Sequence, residues 1–175
     1  MASTFFAKRA LPALALALSL AACDGSTPAS DASGTPAADS SAATLDVGAT
    51  IEAREDNFKA IAKSMKATKA ALGTGSPDFA AIEENAASMM QNAQKITALF
   101  PAGTGPDSGE KTEALASIWD RPADFQAAAT KLVDAATALH AAAGKKDAAA
   151  AQAAFGEVGM SCKGCHDDFR MEKKD

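Results

Sequence analysis

The residues of this chain best suited to chemistry lie within five positions near its end, Cys162-Lys163-Gly164-Cys165-His166. Two thiols three apart, with a histidine directly after the second, suit three kinds of chemistry. They form the attachment signature of a c-type haem: each thiol adds to a vinyl group on one edge of the porphyrin, and the imidazole turns under the ring to reach iron. A bare Cys-x-x-Cys also serves thioredoxin-like redox exchange or half of a zinc site. The redox use wants a βαβ setting, whereas the rest of this chain reads as helix. Zinc wants four ligands, and outside the motif the chain has one histidine, His140, and one cysteine, Cys23, which has another destination. One covalent haem is therefore the expected cofactor, carried by Cys162 and Cys165 with His166 on the metal.

A second axial ligand is harder to find. His140 lies at the edge of an apolar stripe, and Met65, Met89 and Met90 lie on or beside such stripes, where methionine is usually filler. Arg54 stands out for the opposite reason. It precedes Phe58 by four positions and Ile61 by seven, in a column where an apolar residue is expected. A charge there needs a partner, and a haem propionate suits it, unless the first helix frays and leaves Arg54 in water.

Four stretches with helical apolar periodicity must position these groups. The first carries Ile51, Phe58, Ile61, Met65 and Leu72 and stops at Gly73 and Gly75. The second opens at Ser76-Pro77, a cap followed by proline, and runs through Phe79, Ile82, Ala86, Met89, Ala93, Ile96 and Phe100 to Pro101. The third follows Pro122 with Phe125, Ala128, Leu132, Ala135, Leu139 and Ala142, ending at Gly144. The fourth begins near Asp147 and shows Ala151, Phe155, Val158, Cys162, Cys165 and Phe169. Short links at 73–76 and 144–147 make neighbours antiparallel, so the expected fold is all-α, an antiparallel four-helix bundle over residues 46–175. Both cysteines and His166 share the apolar face of the fourth helix, which sets the haem against the bundle interior. The connection from Phe100 to about Arg121 is long, and reads either as a functional loop or as a crossover strap packed by Ile118 and Trp119.

On these residues the chain resembles cytochrome c′, the helical-bundle class of c-type cytochromes. The likeness rests on Arg54 through Phe58, Phe100-Pro101-Ala102-Gly103-Thr104-Gly105, Ile118-Trp119 with Phe125, Ala154 through Gly159, the Cys162–His166 motif and Phe169-Arg170. The resemblance implies that Cys162 and Cys165 hold the haem, that His166 is its sole protein ligand, and that Arg54 meets a propionate. Phe58 falls where the family places an apolar side chain over the open iron face, or a ligating methionine in its low-spin relatives. Phenylalanine cannot coordinate, so the expected iron is five-coordinate and high-spin. Arg170 matches a basic residue beside the proximal ligand, a place that a cation near a helix C-terminus also fills without any haem. Nitric oxide or carbon monoxide binding with one-electron redox is the implied function, and the alternative is a dedicated electron-transfer cytochrome with a six-coordinate low-spin haem. An enzyme is not expected, since no distal acid–base pair is available. The family also implies a homodimer through the first two helices. Lys59, Lys63, Lys66 and Lys69 against Glu83 and Glu84 fit that, and fit equally a solvated face.

The N-terminus predicts where the haem is attached. Lys8 and Arg9 precede the apolar run Ala10–Ala22, too short and alanine-rich for a span of about 20 residues, and residues 1–22 read as a secretory signal. Leu20-Ala21-Ala22-Cys23 looks like a lipobox, and lipid on Cys23 would hold the protein to a bacterial membrane surface in the periplasm; cleavage at Ala21 or Ala22 with a free thiol is the alternative. Residues 23–45 lack periodicity and read as a disordered tether. Loss of the leader's Lys8 and Arg9 takes the formal charge from −5 to −7. An acidic chain without a basic stripe along its length is a poor nucleic-acid binder.

Overall fold

The structure, a computed structural model, describes residues 45–73 and 75–172. The predicted leader, Cys23 and the tether up to residue 44 lie outside the described residues.

Four long helices carry the four stripes. Helix α1, Val47–Leu72, starts one turn before Ile51, the first residue of its stripe, because the Asp46 carboxylate accepts the Ala49 N–H at 2.9 Å. Helix α2, Phe79–Ala93, is capped by Asp78, not by Ser76. Of two adjacent cap signals the carboxylate wins, since the Asp78 N–H also closes the α1–α2 turn on Ala71 O at 3.2 Å. Helix α2 also ends sooner than the stripe suggests. After Ala93 the chain tightens into a 3₁₀ turn at Thr97–Leu99, which still turns Ile96 into the core. A single turn α3, Ser117–Asp120, leads into α4, Pro122–Gly144, with proline at its first position. Helix α5, Ala148–Phe169, is capped by Asp147, whose carboxylate accepts the Ala150 N–H at 3.0 Å.

Aromatic contacts fix the helix directions. Phe100 meets Phe58 with ring centroids 6.3 Å apart and Phe125 at 4.8 Å, and Phe125 meets Phe169 at 5.2 Å. The early part of α1, the exit of α2, the start of α4 and the end of α5 therefore share one end of the molecule. The bundle is antiparallel throughout. Its centre is Ile82, Met89, Leu139 and Val158, all without exposed surface, where truncation to alanine costs about 2–5 kcal/mol.

The α1–α2 interface is polar where the sequence pattern shows nothing. Ser64 Oγ donates to Ser88 Oγ at 3.1 Å, and Asn57 Nδ2 to Asn92 O at 3.1 Å. Thr68 is buried with its hydroxyl returned to Ser64 O at 2.9 Å. Packing is close between α1 and α2, α2 and α4, and α4 and α5, but sparse between α1 and α5. The α1–α5 seam is therefore the loosely packed one.

The long connection is a packed strap. Ile118 is buried, and Trp119 Nε1 donates to Phe100 O and Pro101 O at 3.2 and 3.1 Å. Gly105 is needed here, because a Cβ would come within 3.0 Å of the Trp119 ring. The far end of the strap pairs with the end of α5. Ala114 bridges Arg170, Leu115 N donates to Phe169 O at 3.0 Å, and Ser117 Oγ donates to Asp168 O at 2.7 Å.

Candidate haem site

The two helices of the α1–α5 seam carry half-buried apolar groups, Phe58, Met65 and Leu72 on α1, and Phe155, Cys162 and Cys165 on α5. A large flat apolar group between α1 and α5 would cover those at the motif end, Phe58, Cys162 and Cys165, whereas Leu72 lies about 21 Å from Phe58 along α1. The register of the seam is set by Met65, whose Cε would lie 3.7 Å from a Cβ at Gly159. In antiparallel helices, two turns back along α1 corresponds to two turns forward along α5. Phe58 therefore stands at the level of His166, and Met65 is about 10 Å away along the bundle.

Cys162 and Cys165 sit one turn apart on α5, neither in a disulfide. Burial pushes both thiols up from their ordinary value. For Cys165, desolvation, then Cys162 and Asp168, raise it to about 11. Such thiols stay protonated near neutral pH, which makes them poor candidates for a thiolate redox pair. Among the described residues no three His, Cys, Asp or Glu side chains group as metal ligands, so the zinc alternative has no ligand set there. His166 is lowered, first by desolvation and then by Arg170, against Asp167 and Glu113, which favours the neutral imidazole that a metal requires.

Arg54 is 4 % exposed, which excludes the solvated alternative. Its Nε donates to Leu99 O at 3.0 Å, Nη1 to Thr104 O at 3.3 Å and Thr112 Oγ1 at 3.4 Å, and Nη2 to Thr104 Oγ1 at 2.6 Å. The guanidinium also lies 3.8 Å over the Phe100 ring. All these partners are neutral, and among the described residues no carboxylate pairs with it. One of its five N–H groups, on Nη2, is left over. A buried cation with a spare donor and no anion fits a propionate.

Arg170, four residues after His166, donates from Nε and Nη2 to Glu113 Oε2 at 2.8 and 2.5 Å. Thr104, Thr112 and Glu113 were not distinguishable as site residues in the sequence, since their partners lie 50 to 58 positions away. The remaining ligand candidates stand elsewhere. His140 Nε2 faces Glu83 Oε1 at 3.7 Å across α2 and α4, Met89 is in the core, and Met90 accepts from Thr137.

Fold and site together define a haem-bearing four-helix bundle with its attachment motif at the end of the last helix. Comparison with known proteins makes this specific. The family model described as Cytochrome C' matches residues 49–170. A cytochrome c' from Pararhodospirillum photometricum is 37% identical over 120 residues, covering 69% of this chain and 94% of its own. A nitric oxide complex of a cytochrome c prime variant from Alcaligenes xylosoxidans is 30% identical with TM-score 0.64, over 73% of this chain and 97% of that one. A cytochrome c' described as having a ligand-controlled dimer dissociation is 29% identical with TM-score 0.68, over 74% and 100%. The chain belongs to the cytochrome c′ family, and its cofactor is a covalent c-type haem.

Proposed function

We propose that this protein is a periplasmic haem protein whose iron is five-coordinate and high-spin, held by His166 alone, and binds nitric oxide and carbon monoxide while cycling by one electron. What supports this is the register of Met65 beside Gly159, from which helix geometry puts Phe58, which cannot coordinate, level with His166. When bound, the haem supplies an iron with a vacant position that takes a small diatomic gas or one electron. Phe58 excludes water from that position and must swing aside to admit a gas. It offers no hydrogen bond, so the site gives little to bound dioxygen. Arg54 holds the first stretch of the strap against α1 and directs its spare N–H to a propionate, and Arg170 lies beside the proximal imidazole. The nitric oxide complex among the relatives supports the gas-binding part.

The six-coordinate alternative wants a sulfur or nitrogen at the level of Phe58, and Met65, the nearest methionine on α1, is two turns away. A non-enzymatic role is part of this reading, on the sequence-based expectation that a distal acid–base pair is lacking. A homodimer is supported by the relative with ligand-controlled dimer dissociation, and we place its interface on α1 and α2. The charge pattern adds less than the sequence suggests, because Lys59 pairs with Glu55 and Asp56 on its own helix and Glu83 turns to His140. Lipid on Cys23 would tie the domain to the membrane; among the described residues no helix is long and apolar enough to cross one. Electron paramagnetic resonance of the ferric protein tests the iron assignment. A high-spin signal is expected, and a purely low-spin signal would reject the five-coordinate reading.

A further inference from the structure

We propose that Glu113 is the counter-ion and positioning residue of Arg170, so that the Glu113–Arg170 pair, and not Arg170 alone, sets the charge beside the proximal face of the haem. This rests on the reading of His166 as the iron ligand. Both guanidinium donors converge on one oxygen, Glu113 Oε2. The side chains are 38% and 51% exposed, and an ordinary pair so exposed would wander. Here the backbones on both sides are tied. Met171 N donates to Glu113 O at 2.8 Å, Ala114 bridges Arg170, and Arg170 N donates to His166 O at 3.1 Å. On the other flank, Thr112 Oγ1 accepts from Arg54 Nη1 at 3.4 Å and from Ala114 N at 3.2 Å. Adjacent residues of the strap thus anchor Arg54, on the helix that carries Phe58, and Arg170, directly after the helix that carries His166. Arg170 and His166 line one surface concavity together with Asp167, Met171 and Glu172.

A cation held there favours ferrous over ferric iron by Coulomb repulsion, and a carboxylate clamped to it offsets that bias. Removing the carboxylate should move the haem potential upward, and removing the guanidinium should move it downward. A merely structural pair behaves differently: loss of either member loosens the strap, wets the same face and shifts the potential in the same direction.

The test is a spectroelectrochemical titration of the haem-loaded wild type, Glu113→Gln, Glu113→Asp and Arg170→Gln, at low and high salt. Hydrogen–deuterium exchange over residues 112–117 and 168–171 is read alongside. Opposite signs for Glu113→Gln and Arg170→Gln are expected, shrinking at high salt, with Glu113→Asp near wild type. Shifts of the same sign, or none for Glu113→Gln, overturn the proposal. Should Glu113→Gln fail to load haem, the Glu113→Asp and Arg170→Gln potentials still decide: a marked shift in the first or an upward shift in the second counts against it. A low-spin, six-coordinate wild type would defeat the proposed iron coordination but leave the sign test standing, since charge acts on any iron held by His166.

Discussion

Replacing Arg54 with methionine is the sharpest perturbation of this fold, because one side chain ties α1 to three points of the strap. Methionine keeps length and an apolar stem for Phe100, so the loss falls on polar partners. Thr104 has no exposed surface, and both its carbonyl and its hydroxyl oxygen lose a donor, at 3.3 and 2.6 Å. Each such buried acceptor costs about 1–3 kcal/mol when left unmade. The Leu99 carbonyl and the Thr112 hydroxyl are half-exposed and take water instead. Against this, removing the guanidinium returns its desolvation cost, the same burial that lowers its pKa. The balance is a destabilisation of about 2–4 kcal/mol, with Tm falling by roughly 10 °C for a domain of this size. Guanidinium unfolding of the haem-loaded protein, followed by helical circular dichroism, measures it, and hydrogen exchange should quicken over residues 97–112. A loss under about 1 kcal/mol with unchanged exchange would refute the role of Arg54 as the anchor of the strap. Arg54→Lys separates charge from shape: it keeps the cation but not the fork, and about half the loss is expected.

Three further outcomes follow from the same geometry. Phe58→Ala should speed carbon monoxide association with the ferrous protein by about tenfold or more, and cost about 2–3 kcal/mol in stability because the ring is half-buried; unchanged association rates in stopped flow would reject Phe58 as the lid. Gly105→Ala forces a Cβ against the Trp119 ring, where 3.0 Å is available, so unfolding should come earlier by about 1–2 kcal/mol, and an unchanged melting curve would show that the strap yields freely. In the haem-free chain Cys165 titrates near 11, raised by burial from an ordinary 9.0. A raised thiol pKa favours the protonated folded state, so stability is retained below about 9 and lost as pH rises toward 11. Thioether sulfurs do not ionise, so the Tm gap between haem-loaded and haem-free chains should widen over that window; parallel curves would contradict the burial of the thiols.

The bundle was legible because apolar residues recur at helical spacing within each stripe, as Ile82, Ala86, Met89 and Ala93 do on α2 and Leu132, Ala135, Leu139 and Ala142 on α4, and the glycine and proline stops are clear. Where the sequence misled, the reason is local. Ile96 and Phe100 keep an inward spacing in a 3₁₀ turn as well as in an α-helix, so periodicity does not distinguish the two over one turn. Ser64, Thr68 and Asn57 are buried without an apolar signal, since the first two hydroxyls and the Asn57 Nδ2 find hydrogen bonds on α1 or α2, although among the described residues Asn57 Oδ1 finds none. At the site, Cys162, Cys165 and His166 announce themselves by adjacency, and Arg54 by being a charge in an apolar column. Glu113 carries no such mark. Its meaning depends on Arg170, 57 residues later, and only the pairing of strap and α5 brings them together.

We propose an iron position left open beneath Phe58. Carbon monoxide titration of the ferrous protein, read by its absorption spectrum, tests it most directly. A high-spin ferrous spectrum that converts fully with one gas molecule per haem is expected. A low-spin ferrous spectrum indifferent to carbon monoxide would contradict it.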